Sequence, residues 1–194
     1  MKIFNLLHNE EIPDGVKSPL WIIMPDSAIV RSGNPFFVPD FDSKFSAFPA
    51  LAVKISRLGK SVAPKFAHRY YHEVTAAVTI RATNLLQKLR EAGMPWDKAA
   101  IFDKCCMIGD FKAIDNNWYP DSIRAVIGSE SYTFIETDLK EHIDTVISAI
   151  SQDNILKIGD IVIIPLTPDG TPLKPQMDIH AAINNETLLE IKVK

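Results

Sequence analysis

The chain has 194 residues, of which 46% are hydrophobic and 23% are charged, and its formal net charge is −3. That hydrophobic content excludes a wholly disordered chain, and a slight excess of acids leaves no general basic surface for nucleic acid. No apolar stretch approaches the roughly 18 residues of a membrane span, so we expect no membrane segment.

The N-terminus and the cysteines favour a cytoplasmic protein. Acids at Glu10 and Glu11 follow a brief apolar run, so a signal peptide is not expected. The two cysteines, Cys105 and Cys106, are adjacent, an arrangement that by itself makes neither an unstrained disulfide nor a zinc site. We expect two reduced thiols, one pointing inward and one outward from a strand.

The first half of the chain predicts strands bounded by turn residues. Residues 20–24 are a short apolar run, and residues 36–38 lie between two prolines, which favours a sheet edge because proline has no N–H to donate. Residues 51–57 alternate apolar and polar side chains, as in a strand with one buried face. Residues 74–80 are rich in β-branched side chains and predict a core strand.

Two helices and two further strands complete the prediction. The helix at 84–91 has a leucine stripe and Thr83 as N-cap. The helix at 138–151 has apolar residues at helical spacing and Thr137 as N-cap, and strands follow at 161–164 and 188–193. Because helices do not alternate with strands, we predict an α+β fold. It is expected to form one domain, 1–194, in which 1–20 are loosely ordered or a shortened N-terminal segment.

Generic catalytic motifs are absent from the sequence, which has no glycine-rich phosphate loop, GxSxG elbow, HExxH or paired CxxC. His142 follows Asp138 by four residues on the second helix, where a solvated pair is favoured over a metal ligand. His68 and His72 have the same spacing among aromatic residues. His8 and Glu11 form an H-x-x-E pattern near the N-terminus.

Several longer motifs occur in the order typical of one known family. They are F-V-P-D-F at 37–41, L-A-V-K-I-S-R-L-G-K at 51–60, A-H-R-Y-Y at 67–71, I-F-D at 101–103, I-G-D at 108–110, L-K-I-G-D at 156–160 and T-P-x-G at 167–170. Together they resemble the fumarylacetoacetate hydrolase family over most of the chain.

The resemblance implies a mixed β-roll or β-sandwich fold and a homodimer. Members of this family bind Mg²⁺ or Mn²⁺ and hydrolyse, decarboxylate or isomerise small diketo and hydroxy-dienoate acids. The metal polarises the oxo-carboxylate, and a His–Glu pair activates water. The positions of that pair here are His8 and Glu11.

The metal-binding carboxylates of the family are missing. The Glu-x-Glu pair before the L-A-V-x-I strand is replaced by Phe48 and Ala50, and the third carboxylate by Thr79. A slip of one residue does not restore them, because 44–52 and 75–84 contain no acid. Since Mg²⁺ prefers anionic oxygen ligands, we expect no metal cofactor.

Other positions of the family's pocket have changed as well. A lysine before the I-F-D motif is replaced by Ala100, whereas Asp103 is retained. The T-G-T-P loop that touches substrate in the family reads P-L-T-P here, from Pro165 to Pro168, and includes Thr167. These replacements predict a small, apolar, uncharged cavity, or one filled by its own side chains.

Two functional hypotheses follow from the resemblance and its departures. The first is a degenerate homologue that keeps the fold and the dimer and binds a ligand, such as a small organic acid, or another subunit. The second is an active hydrolase or isomerase that uses His8 and Glu11 without the metal. Under the first hypothesis the H-x-x-E spacing is a chance remnant.

Overall fold

The computed structural model describes residues 1–115, 118–135 and 138–194. The strands are β1 (Ile3–Leu6), β2 (Trp21–Met24), β3 (Ile29–Arg31), β4 (Phe45–Ile55), β5 (Tyr71–Ala82), β6 (Cys106–Ile108), β7 (Lys112–Ala113), β8 (Ser122–Ile127), β9 (Glu130–Ile135), β10 (Ile161–Pro165), β11 (Thr171–Pro172), β12 (Asp178–Ile183) and β13 (Glu186–Lys192). The helices are α1 (Pro64–Ala67), α2 (Thr83–Glu91), α3 (Asp97–Ala100) and α4 (Leu139–Asp153), and 3-10 turns span Asn9–Glu11 and Asp26–Ala28.

Two sheets carry the fold. The larger sheet has the order β2-β1-β10-β4-β5-β6-β3, with β11 beside β4 and β7 beside β5. It is mixed, because β1 runs parallel to β10 and β3 parallel to β6, while β4 and β5 are antiparallel. The smaller sheet, β13-β12-β8-β9, is antiparallel. This mixed-sheet architecture with few helices confirms the predicted α+β class.

The long strands β4 and β5 form the centre of the larger sheet. From Leu51 to Ile55 only Lys54 is not fully buried, so the one-sided burial predicted from the alternation over 51–57 is wrong. Both faces of these strands are therefore covered. Beside them, at Gly109 directly after β6, an added Cβ would lie 2.5 Å from the Leu188 carbonyl oxygen of β13. Such a close approach of two sheets requires glycine.

The N-terminal segment contributes to the core. The four residues of β1, Ile3–Leu6, are buried between β2 and β10, and the Lys2 amide donates to Asp160 Oδ1 at 2.8 Å. The loose order expected for 1–20 therefore does not apply to this strand. Its apolar side chains are ordered by pairing with Ile161 and the residues after it, far away in sequence.

The predicted helices are present, but their caps and the cysteines differ from expectation. Thr83 is the first residue of α2, and the Asp42 carboxylate instead accepts the Leu85 N–H at 2.9 Å. The predicted cap of α4, Thr137, lies outside the described residues. Cys105 and Cys106 are both buried, because the structure covers the chain on both sides there.

The segment around Phe36 lies at a sheet edge, as predicted. Phe36 forms a single parallel bridge with Val193, next to β13. Among the described residues, no helix is both long enough and apolar enough to cross a membrane.

Candidate functional site

The three positions of the missing carboxylates lie on one face of the β4–β5 pair. Phe48 is directly opposite Thr79, and Ala50 is two residues beyond Phe48 on β4. Opposite residues, and residues two apart on a strand, share a face of the sheet. The structure therefore brings these three positions together, although the side chains there are a ring, a methyl group and a hydroxyl group.

Arg81 occupies the same face two residues beyond Thr79. Its guanidinium lies over the Phe48 ring at 4.5 Å from the centroid, and only 4% of its side chain is exposed. Gly170 packs against the outer end of the same ring, where an added Cβ would lie 2.6 Å from Phe48 Cζ. Of the two predicted outcomes, an apolar cavity or a filled space, these contacts correspond to a filled space.

The counterion of Arg81 is Glu11. Glu11 Oε1 accepts from Arg81 Nη1 at 2.5 Å and lies 3.6 Å from Arg90 Nη2. Burial by itself would raise the pKa of Glu11, but the Arg81 charge and hydrogen bond, with smaller contributions from the His8 amide and Arg90, hold this pKa below its ordinary value of 4.5. Glu11 is therefore a carboxylate at neutral pH and is paired with a cation.

The hydrogen bond that links His8 to Glu11 comes from the backbone amide of His8, not from its imidazole. Glu11 Oε2 accepts the His8 N–H at 3.2 Å, and His8 Nδ1 accepts the Glu10 N–H at 3.3 Å. These two bonds form a capping box around the turn Asn9–Glu11. In the family mechanism this glutamate would orient a catalytic histidine. Here the Glu11 side chain instead connects the turn Asn9–Glu11 to Arg81.

Arg81 is the site residue that the motif reading did not single out. A signal for it is present in the sequence, since Arg81 is a charged residue at the end of the apolar run 74–80. An arginine buried within a sheet needs a carboxylate partner. The sequence does not indicate which acid provides it, because Glu11 lies 70 residues away.

The remaining predicted pocket positions are dispersed around this centre. Pro165 ends β10 directly opposite Ala50, and Ala100 is buried at the end of α3. Asp103 is exposed in the turn that follows α3. Thr167 accepts the Asp169 N–H at 3.1 Å and so shapes a turn. The catalytic assignment of His8 and Glu11 stays a prediction.

The residues at the centre do not fit a divalent cation. Within 1–115, 118–135 and 138–194, no group of three His, Cys, Asp or Glu side chains has a geometry suited to a metal. Hard cations such as Mg²⁺ need several oxygen ligands, and the face of Phe48, Ala50 and Thr79 offers one hydroxyl. The Arg81 guanidinium beside it is a donor and offers no ligand to a cation, and the nearby Glu11 carboxylate is already paired with it.

A cleft of about 400 Å³ lies next to this centre, on the side of His8 and Pro165. Its other described lining residues include Asp138, Glu141 and His142 from the start of α4, and none of them is Lys or Arg. The described lining of this cleft therefore offers a dianionic ligand no cationic side chain as a partner.

Comparison with known proteins supports the relationship indicated by the motifs. No family model matches the chain. The oxaloacetate tautomerase YcgM of Escherichia coli (strain K12) is 26% identical over 188 residues, which cover 93% of this chain and 85% of that protein. A Yersinia pestis CO92 structure assigned to the fumarylacetoacetate hydrolase family has a TM-score of 0.86 at 21% identity, covering 100% and 92% of the two chains.

A third similar protein is the fumarylpyruvate hydrolase from Pseudomonas aeruginosa, solved in complex with Mn²⁺ and pyruvate. Its TM-score is 0.85 at 18% identity, with 100% of this chain and 89% of that chain covered. The chain is therefore similar in sequence to oxaloacetate tautomerases over most of its length, and it has the fold of solved fumarylacetoacetate hydrolase-family structures, as its motifs predicted.

Proposed function

We propose that this protein is a member of the fumarylacetoacetate hydrolase family that does not carry out metal-dependent hydrolysis, decarboxylation or isomerisation, and that has a binding role instead. One observation carries the proposal: Arg81 stacks on Phe48 and pairs with Glu11 on the face where the family holds its metal. A buried guanidinium in that place supplies a fixed positive charge that is already neutralised by a carboxylate.

The cleft beside His8 supports the same proposal. The substrates of the similar enzymes are small acids, and the described lining of this cleft has no Lys or Arg to pair with their carboxylates. A neutral ligand or a protein partner needs no such cation. We therefore expect the protein to bind small dianionic oxo acids such as oxaloacetate weakly or not at all.

A calorimetric titration of chelator-treated protein with Mn²⁺ and Mg²⁺ tests this function. We expect no saturable binding up to about 1 mM metal, the weak limit of oxygen-ligand sites. In parallel, the protein should not accelerate the enol–keto conversion of oxaloacetate when metal is added. Saturable binding together with metal-dependent turnover would contradict the proposal.

A matched variant provides the positive control for the titration. Phe48→Glu, Ala50→Glu and Thr79→Asp together place three carboxylates on the face shared by these positions, and Arg81→Ala removes the cation beside them. This variant is expected to gain Mn²⁺ binding if it keeps the circular dichroism spectrum of the wild type. Its gain would show that the scaffold persists and that the ligands alone are missing.

A second candidate function is metal-independent proton transfer by His8. The observation in its favour is that His8 lines the cleft while its Nδ1 accepts the Glu10 amide, which leaves Nε2 to carry the proton of a neutral ring. Tautomerisation requires only proton transfer, to which one positioned acid–base group contributes.

The two candidates are separated by an assay of enol–keto conversion in excess chelator. Acceleration by the wild type that is lost in His8→Gln and kept in Lys98→Gln, a change on α3 away from this cleft, would establish the second candidate. Equal rates with and without protein would leave the binding role in place.

A further inference from the structure

A second pocket, of about 580 Å³, lies between the two sheets, where the start of β9 faces β11. Tyr132 of β9 and Thr171 of β11 meet there, with their hydroxyl oxygens 2.6 Å apart. Thr171 is only 5% exposed, so this pair of hydroxyl groups belongs to the buried part of the pocket wall. The pocket is separate from the cleft beside His8, because the described residues that line the two do not overlap.

The register of the β8–β9 hairpin explains why an acidic side chain borders this pocket. On β8 the residues that face the core are Ile123, Ala125 and Ile127. Glu130 and Tyr132 are directly opposite Ile127 and Ala125, and opposite residues share a face of the sheet. Glu130 is therefore on the core-facing side of β9, at the first residue of the strand. Because it remains exposed, its carboxylate stands at the mouth of the pocket.

Another wall of the pocket comes from the loop that follows β11. Met177 closes over Gly128, where the backbone has a φ of +58° and an added Cβ would collide with Met177 Cε. The Met177 sulfur accepts the Lys174 N–H at 3.0 Å, which makes the loop a compact turn. This turn brings an apolar thioether and the ammonium group of Lys174 to the same pocket.

Two opposite charges thus line the pocket without pairing with each other. Glu130 comes from β9, and Lys174 comes from the loop after β11. Over the described ranges 1–115, 118–135 and 138–194, neither side chain forms an ion pair or a hydrogen bond. Charge-assisted hydrogen bonds are the strong ones, so a ligand that carries both a cation and an anion gains two of them here.

We propose that this pocket binds a small zwitterion, in which an apolar body carries one ammonium and one carboxylate group. The ammonium pairs with Glu130 and the carboxylate with Lys174, while the apolar body packs against Met177. The hydroxyl groups of Tyr132 and Thr171 are available to the polar atoms between the two charges. Free apolar amino acids and short apolar peptides share this chemistry, and the pocket volume is in the usual range of small-molecule sites.

The paired charges also define which ligands are rejected. A dicarboxylate has no cation for Glu130 and is repelled by its charge, and a diamine is repelled by Lys174 in the same way. The proposal concerns a site other than the cleft beside His8 and uses no metal. Its failure would therefore leave the proposed function unaffected, and the reverse also holds.

Isothermal titration with leucyl-leucine and with free leucine tests the proposal. At least one of the two should bind saturably, with a dissociation constant of about 1 mM or below. Tighter binding of the dipeptide identifies peptides as the ligands, and tighter binding of leucine identifies amino acids. The N-acetyl derivative of the better ligand lacks the ammonium and its amide derivative lacks the carboxylate, so each should bind roughly tenfold more weakly.

Two variants connect each ligand charge to its partner. Glu130→Gln should weaken the better ligand roughly tenfold and leave the N-acetyl derivative unchanged, because that derivative has no ammonium to lose. Lys174→Gln should do the same for the amide derivative. The controls Glu91→Gln and Lys98→Gln make matched changes at exposed positions of α2 and α3, away from the pocket, and should bind as the wild type does.

Nuclear magnetic resonance locates the bound ligand independently of these variants. Titration should shift the backbone amide signals of residues 128–132 and 170–177 and leave those of residues 8–11 unchanged. Three results would overturn the proposal: no saturable binding of either probe up to about 10 mM, equal losses in the controls, or shifts confined to the cleft beside His8.

Discussion

Arg81 is the charged residue at the centre of the candidate site. It is buried, stacked on Phe48 and paired with Glu11, and Arg90 adds a second, more exposed contact to the same carboxylate. A charge removed from water is tolerated in a fold only when it is paired. The pair therefore also anchors the 3-10 turn Asn9–Glu11 to the larger sheet.

Removing Arg81 should be far more costly than removing Arg90. We expect Arg81→Ala to lower the free energy of unfolding by about 3 kcal/mol, because Glu11 is left buried without its main partner. Arg90→Ala is the matched control, since its side chain is 39% exposed, and should cost less than about 1 kcal/mol. Urea unfolding at pH 7 measures both values, and similar losses would contradict this account of the pair.

The same pair makes the stability depend on pH. Although burial opposes it, Arg81 keeps the pKa of Glu11 in the folded protein below 4.5. The stabilisation is therefore fully present above that value and is lost as the pH falls through the folded-state pKa. The difference in unfolding free energy between the wild type and Glu11→Gln should narrow between pH 6 and pH 3. If the unfolding free energies of the two proteins changed with pH in parallel, this role of Glu11 would be excluded.

At the scale of elements, α2 begins where a distant loop provides its cap. The Asp42 carboxylate accepts from Leu85 N–H and from the Asn84 side chain, at 2.9 and 3.1 Å. Burial by itself would raise the pKa of Asp42, but these hydrogen bonds and that of the Ser43 amide together lower it below its ordinary value. Thr83, the cap expected from the local sequence, instead donates to the Lys44 carbonyl.

The two possible caps can be distinguished by alanine substitution. Asp42→Ala should lower the free energy of unfolding by about 1 kcal/mol, the usual value of an N-cap. Thr83→Ala should cost less than half of that, and Asp42→Asn, which keeps an acceptor oxygen, should recover most of the loss. Thermal unfolding followed by circular dichroism ranks the three variants, and a larger loss in Thr83→Ala would contradict the assignment.

At the scale of the whole molecule, the two sheets bury both cysteines. Burial raises the pKa of Cys105 to about 11 and that of Cys106 well above its ordinary value. The reactive form of cysteine is the thiolate, which is therefore scarce at neutral pH. The adjacent thiols behave as parts of the core and depend on global unfolding to become accessible.

Thiol labelling measures this property directly. At pH 8 the native protein should react with an aromatic disulfide reagent only as fast as it unfolds, and both thiols should react at once in concentrated urea. A Thr133→Cys variant is the control, because its added thiol lies on the exposed edge strand β9 and should react immediately. Rapid labelling of the native wild type would show that one cysteine faces solvent.

The sequence alone indicated the fold and the lack of acidic residues at the positions where the resemblance places metal ligands. The motifs occur in the same order along the chain as in the family. This order indicates the fold because the spacing of turn residues depends on the backbone more than on the remaining side chains. The absence of acids at 44–52 and 75–84 is a matter of composition and holds in any register. Local patterns of apolar residues and prolines likewise predicted the central strands, both main helices and the edge position of Phe36.

Only the tertiary structure decided which residues meet. Glu11 and Arg81, and Asp42 and Leu85, pair across long separations in sequence, and β1 becomes ordered because Ile161 and its neighbours lie beside it. Local propensity does not specify such partners, since a buried charge or an open strand edge can be satisfied by any complementary group that the fold brings near. In this protein the packing of the two sheets determines which of these groups become partners.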